Sequence, residues 1–293
     1  MNRRTLLFGF GLLGATALSG GGTVYALNTL GMVPKPLPIP DPATPTSLAT
    51  PESKIAAETH APAATTGADL HWAYEGPTGP DKWADVDPAN AVCKLGGAQS
   101  PIDLTNPLRV AALAGLQVEY ASTHVKITNN GHTFQINVDK GSSLMIEGKR
   151  YDLLQFHFHT PSEHTLDGKS FPLELHLVHQ AAVDKTLAVI GVLLSEGTTN
   201  TVLGRFWERL PKAPGEVDAG VSIDMKDLLP RATDDYFTYS GSLTTPPCSE
   251  SVRWVVLKQP LQISKSQIAS FRAVFPMNAR PTMPLGARYL LGS

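Results

Sequence analysis

His157 and His159 stand two residues apart in Gln155-Phe156-His157-Phe158-His159, and His176 lies in Glu174-Leu175-His176-Leu177-Val178-His179. Side chains on a β-strand alternate faces with period two, so His157 and His159 share one face and Phe156 and Phe158 the other. Glu174, His176 and Val178 likewise share a face. Residues 160–172 separate the two segments and carry an Asp167-Gly168 turn signal. Antiparallel pairing then sets His176 beside His157 and His159. Three neutral imidazoles on two rigid strands suit a catalytic zinc, which takes three protein ligands and keeps a fourth position for water. A lone histidine on an apolar face is more often a core residue with a hydrogen-bond partner. Here five of the nine histidines fall between His157 and His179, and a carboxylate precedes His176 by two residues. That clustering favours a metal. His164 and His179 read as structural, and His179 faces away from the proposed metal.

The elements that must position these residues are mostly strands. Alternating or apolar runs mark strands at 116–120, 125–129, 133–138, 143–146, 151–158, 173–179, 187–194, 236–240 and 252–257. Val202, Leu203, Phe206, Trp207 and Leu210 fit one amphipathic helix ending at Pro211. Ile268, Phe271, Arg272 and Phe275 fit another, with Ser264 or Ser266 as its N-cap. So many strands joined by short turns predict a mainly β domain, one large and mostly antiparallel sheet with peripheral short helices. The chain has 293 residues, 42% apolar and 17% charged, enough for one large domain with appendages. A formal net charge of −2 and no basic patch give no electrostatic case for nucleic acid or an anionic membrane surface.

The domain is expected over residues 68–293. Residues 34–67 read as a Pro/Ala/Thr-rich linker, because proline this dense favours an extended, solvated chain. Residues 1–33 read as an export signal or anchor. Arg3-Arg4 precede an apolar, glycine-rich stretch without charge until Lys35, resembling a bacterial twin-arginine signal with Val24-Tyr25-Ala26 as a cleavage site. An ordinary secretory signal and a retained membrane tether are the alternatives. Export implies a periplasmic or extracellular location. Cys93 and Cys248 are the only cysteines. In an exported protein such a pair reads as a disulfide, with two free thiols as the alternative.

Gln155-Phe156-His157-Phe158-His159, Ser162-Glu163-His164-Thr165, Glu174-Leu175-His176-Leu177-Val178-His179 and Gly241-Ser242-Leu243-Thr244-Thr245-Pro246-Pro247-Cys248 together resemble the signature of α-class carbonic anhydrases. The likeness runs from about Trp72 to Arg280-Pro281. It implies a central, twisted, mainly antiparallel sheet of about ten strands. It also implies one zinc per chain on His157, His159 and His176, and reversible hydration of carbon dioxide to bicarbonate and a proton by attack of zinc-bound hydroxide. By the same resemblance, Thr244 and Glu163 orient the hydroxide. Gln155 and Glu174, which share strand faces with His157 and His176, and the backbone carbonyl of Asn278 hold the three rings. Val178, Val189, Leu243, Thr245, Val252 and Trp254 match the family's substrate pocket. His132, in Asn129-Asn130-Gly131-His132-Thr133-Phe134, resembles its proton shuttle. Related members carry cysteines at the positions of Cys93 and Cys248, and some bacterial relatives dimerise, so monomer and homodimer both stand.

Two other readings compete. His157-x-His159 with Glu163 fits part of a cupin iron-site pattern, but Tyr151 and Ser170 stand where that pattern wants glycines. Non-catalytic binding modules on the same fold lose one or more zinc histidines, and all three are present here.

Overall fold

The computed structural model describes residues 71–293 apart from 111, 112 and 114, so the signal or anchor of residues 1–33 and the linker of residues 34–67 lie outside the described residues. The strands are β1 Asp103–Leu104, β2 Leu108–Arg109, β3 Gln117–Glu119, β4 Ser122–Asn129, β5 Phe134–Asn137, β6 Ser143–Ile146, β7 Lys149–His159, β8 Thr165–Leu166, β9 Leu173–Gln180, β10 Leu187–Glu196, β11 Gly215–Asp224, β12 Tyr236–Gly241, β13 Val252–Ile263 and β14 Leu291–Gly292. The α-helices are short: α1 Trp83–Val86, α2 Val92–Leu95, α3 Thr201–Trp207 and α4 Lys265–Arg272. Among the described residues, no helix is long and apolar enough to cross a membrane.

Among the described residues, twelve strands form one sheet. Ten run in the order β11-β4-β5-β7-β9-β10-β13-β12-β14-β2, with β6 on β7 and β3 on β6. Neighbours are antiparallel except β10 with β13 and β14 with β2, which are parallel. The central strands β9 and β10 are buried on both faces, as in a sheet covered on both sides. On one face Phe156, Phe158, Leu175 and Leu177 pack with Leu203, Phe206 and Trp207 of α3 and Ile268 and Phe271 of α4. Asn200 caps α3, and Ser264 with Gln267 forms a capping box on α4. The other face carries a smaller apolar cluster that includes Val178, Val189, Val252 and Trp254.

β7 changes parity along its length. Its register with β9 shifts between Leu153 and Gln155. Tyr151 and Leu153 therefore sit in the large core with Phe156 and Phe158. An extra residue in one strand re-aims everything beyond it. Here it turns Gln155, His157 and His159 onto the opposite face. Across β9 and β10 that face continues as the row Gln155, Val178, Val189, Trp254 and the row His157, His176, Gly191. Gly191 is set by close approach: a Cβ there would meet Glu174 Oε1 at 2.9 Å and Val256 at 3.4 Å. The turn at Asp167-Gly168 forms as expected, with both residues at positive φ (49° and 75°) between mutually bonded Leu166 and Lys169.

His179 faces the large core, fully buried, with Nε2 2.8 Å from Tyr120 Oη and Nδ1 3.2 Å from the Ala188 carbonyl. Burial lowers its pKa from 6.5 to about 4, against weaker upward pulls from backbone hydrogen bonds. Below pH 6.5 the unfolded chain binds a proton at this residue that the native state refuses until about pH 4. Its stabilising contribution is therefore whole above 6.5 and falls as pH drops to about 4, by about 3 kcal/mol in total. His179→Gln should be less stable at pH 7 yet lose less on acidification. Urea unfolding at pH 7 and 4.5 checks this, and parallel losses in both proteins would rule it out.

Candidate metal centre

His157 and His176 are direct cross-strand neighbours, and His159 lies opposite Glu174. Each ring is held from outside. His157 Nδ1 donates to Gln155 Oε1 at 2.8 Å, and His159 Nδ1 donates to the Asn278 carbonyl at 2.7 Å. His176 Nε2 lies 3.0 Å from Glu174 Oε1, although its alignment falls short of a full hydrogen bond. These contacts leave His157 Nε2, His159 Nε2 and His176 Nδ1 with unshared lone pairs. One nitrogen from each ring lies within 4.8 Å of the others.

Burial, with repulsion from His159 and His176, pushes the His157 pKa well below the ordinary histidine value. Burial lowers that of His159 as well. It also opposes the His176 cation, but the charge of Glu174, backed by Glu163, outweighs it and the pKa is raised. Glu174 is itself held ionised: burial works against the charge, and His164 and His176 overcome it. Two neutral imidazoles and a third fixed by a carboxylate form a donor set that zinc accepts. Two further atoms support that fit. His159 Nε2 and Glu163 Oε2 are buried without a hydrogen-bond partner, 3.5 Å apart. A buried polar atom left unpaired costs about 1–3 kcal/mol, so such atoms together mark a place for a ligand.

His164, Glu174 and His176 form a second cluster of potential ligands. It is already saturated. Glu174 Oε2 accepts the His164 N–H and Oε1 accepts its Nδ1–H, while His164 Nε2 lies 2.8 Å from Tyr239 Oη. Tyr239 Oη donates to Ser100 Oγ, which also accepts the Ser242 N–H. A chain of hydrogen bonds thus runs from Glu174, which lies beside His176, through His164 and Tyr239 to Ser100. Sequence reasoning missed Tyr239 and Ser100. The two are 139 residues apart, and no periodicity joins them.

A family model for eukaryotic-type carbonic anhydrases matches residues 78–290. The chain belongs to this family. A carbonic anhydrase from Nostoc sp. is 41% identical over 228 residues, covering 76% of this chain and 86% of that one. One from Pectobacterium carotovorum is 41% identical over 224 residues, covering 76% and 91%. The α-carbonic anhydrase of Thermovibrio ammonificans, solved with the inhibitor sulfanilamide, is 43% identical with a TM-score of 0.73, covering 75% of this chain and 98% of that chain. As a carbonic anhydrase the protein is an enzyme, and its family supports hydration of carbon dioxide.

The remaining residues singled out by the carbonic anhydrase resemblance lie around the three histidines. Trp254 stands edge-on to His176, 4.9 Å between ring centres. Val178, Val189 and Val252 are buried beside it, Leu243 packs on the same cluster, and Thr245 is half-buried. Thr244 is buried. Glu163 Oε1 accepts the Arg280 N–H, but Oε2 lies 3.9 Å from His176 Nδ1 with no hydroxyl donating to it, so no bond from Thr244 reaches it. Cys93 and Cys248 are joined in a disulfide spanning 155 residues. The Arg280 guanidinium donates to the Cys93 carbonyl, and Gln99 Nε2 to the Cys248 carbonyl. The disulfide thus braces the segment that carries Thr244 and is compatible with export. His132 precedes β5 in a turn, where Asn130 Oδ1 accepts its N–H. The strand alternation that buries Phe134 therefore does not extend to it.

Proposed function

We propose that this enzyme hydrates carbon dioxide reversibly to bicarbonate and a proton, with one zinc held by His157 Nε2, His159 Nε2 and His176 Nδ1. The observation that carries the reading is that one nitrogen of each ring lies within 4.8 Å of the others, while His157 Nδ1, His159 Nδ1 and His176 Nε2 face Gln155, Asn278 and Glu174. Zinc there supplies a Lewis acid that lowers the pKa of a water molecule, so that hydroxide is available near neutrality. Thr244 Oγ1 would accept the nucleophile's hydrogen bond and donate its own proton onward. The acceptor would be Glu163 Oε2, a buried oxygen without a hydrogen-bond partner, which Thr244 does not reach in this structure. A bond between the two would aim the nucleophile's lone pair at carbon. The apolar substrate rests against Val178, Val189, Leu243, Val252 and Trp254, with Thr245 at the margin. Val178, Val189 and Trp254 form one row across β9, β10 and β13, so the wall is as rigid as the sheet.

The test is metal content with stopped-flow hydration. One zinc per chain, and hydration that vanishes on chelation and returns with zinc, is the expected result. A zinc-loaded protein that does not hydrate carbon dioxide would overturn the reading, as would iron in place of zinc.

The proton leaves by way of His132, since imidazole both accepts and releases protons near neutrality. His132 lies three residues before Gln135, which pairs with His157 across the sheet, or about 10 Å along an extended chain. Its carbonyl accepts from Asn278 Nδ2, so its backbone is tied to the residue that orients His159. His132→Ala should lower kcat about tenfold in dilute buffer and leave kcat/KM nearly unchanged, with imidazole buffer restoring turnover. An unchanged kcat in dilute buffer would remove His132 from the path. Export to the periplasm or outside the cell is part of the same proposal, supported by Arg3-Arg4 and the disulfide.

A further inference from the structure

Three groups face the imidazoles of the metal centre from outside, and they differ in how they are themselves held. Gln155 and Glu174 stand on β7 and β9, the strands that carry the three histidines. The Asn278 carbonyl belongs to residues 275–285, which form neither helix nor strand. A carbonyl in irregular backbone has no ladder to fix its direction, and loops move more than the elements they join. Two residues on, the Arg280 N–H holds Glu163, so this segment carries two groups on which the site depends.

The Asn278 side chain supplies the missing anchor. Its Oδ1 accepts the Thr160 N–H at 2.6 Å, and its Nδ2 donates to the Phe158 carbonyl at 3.0 Å and the His132 carbonyl at 2.9 Å. The Asn278 N–H adds a bond to the Thr160 carbonyl at 2.9 Å. The residues before and after His159 are thus both bonded to the residue whose carbonyl accepts from His159 Nδ1 at 2.7 Å. Both amide protons meet carbonyls and the amide oxygen meets an N–H, so only one orientation of the group satisfies all three partners. Asn278 is buried, and breaking any of these bonds leaves a polar group without water to replace its partner.

We infer that the Asn278 side chain is a positioning residue for the metal: it aims the carbonyl that orients His159 and so sets how long zinc stays on the site. The inference rests on the reading that His157, His159 and His176 hold zinc. Asn278→Asp isolates the effect. It keeps the shape, the backbone carbonyl and an acceptor for the Thr160 N–H. It sets an oxygen against the Phe158 and His132 carbonyl oxygens, and even a protonated carboxyl brings one donor for two acceptors.

Two measurements on the zinc-loaded full chain test this. Zinc release to excess chelator should be about tenfold faster or more in Asn278→Asp, the scale on which an outer partner of a metal ligand acts. By NMR, the His159 Nδ1 proton should exchange with solvent faster in this variant, while the His157 Nδ1 proton keeps its wild-type rate. Leu203→Ala, in the core on the other face of the sheet, should lower the melting temperature with neither change, which separates aim from general stability. Wild-type behaviour of Asn278→Asp in either measurement overturns the inference and leaves the zinc reading standing. Faster exchange at both rings also overturns it, because the damage is then not confined to His159. A wild-type chain that takes no zinc overturns both. If Asn278→Asp does not fold, the wild-type protein decides. Both Asn278 amide protons should exchange as slowly as the His159 Nδ1 proton, and amide protons that exchange freely beside a protected ring proton overturn the inference.

Discussion

Zinc content should fall from one per chain to near zero in His159→Ala, and hydration should fall with it by about 10²-fold or more. His157→Ala and His176→Ala behave alike. The size of the effect follows from geometry: each ring is fixed by its own outer partner, so a missing nitrogen cannot be replaced by movement of the other two. Water can fill the vacancy but brings no anchored lone pair. His179→Ala is the contrast. It lies three residues beyond His176, on the other face against Tyr120, and its loss weakens the fold without removing a ligand. Plasma emission spectrometry of the purified variants reads the difference. Equal zinc loss in His176→Ala and His179→Ala would reject the assignment of faces. Glu174→Gln sits between these cases. The carboxylate fixes both His164 and His176, and losing such an outer partner typically costs 10–100-fold in metal affinity.

Thr244→Ala should keep its zinc and lose about 10²-fold in kcat/KM, or about 2.7 kcal/mol of transition-state stabilisation. Without the hydroxyl, the nucleophile's proton can point in unproductive directions while the Lewis acid remains. Glu163→Gln should act similarly, because an amide can present a donor where the threonine needs an acceptor. The two act as a unit, so the double variant should be little worse than the worse single. Stopped-flow assays beside zinc analysis separate orientation from metal loss. Near-wild-type rates in both single variants would remove the pair from the mechanism. Glu163 has a further duty: its Oε1 accepts the Arg280 N–H, and Arg280 ties it to Gln99, Ser100 and Cys93. A loss of stability in Glu163→Gln therefore accompanies its catalytic loss and is measured separately by thermal unfolding.

Period-two spacing in the sequence was enough to put His157 and His159 on one face, and the Asp167-Gly168 turn was enough to bring His176 back beside them. Local backbone geometry decides both, and local geometry is written in neighbouring residues. The buried central strands were legible for the same reason, while Ser264 and Ser266 both stood as caps for α4 until the structure took Ser264. The polar edge strand β11 was not. Glu216, Asp218, Ser222 and Asp224 leave it no apolar run, and it is a strand because β4 offers it hydrogen bonds. The end of β13 was also hidden, because Pro260 argues against a strand interior. The chain passes it where the register with β10 shifts between Val192 and Leu194.

What only the tertiary structure decided is how the site is aimed. The shift between Leu153 and Gln155 turns the metal face of β7 away from Tyr151 and Leu153, and no residue type announces it. Which nitrogen each imidazole offers depends on Gln155, Asn278 and Glu174, one of them 119 residues from the ring it holds. The unpartnered Glu163 oxygen, the chain through His164, Tyr239 and Ser100, and the Asn278 amide between Phe158, Thr160 and His132 belong to the same class. Hydrogen bonds between side chains depend on ångström distances between distant segments. Such distances exist only after the sheet has closed its register, so sequence spacing can name the groups but not their partners.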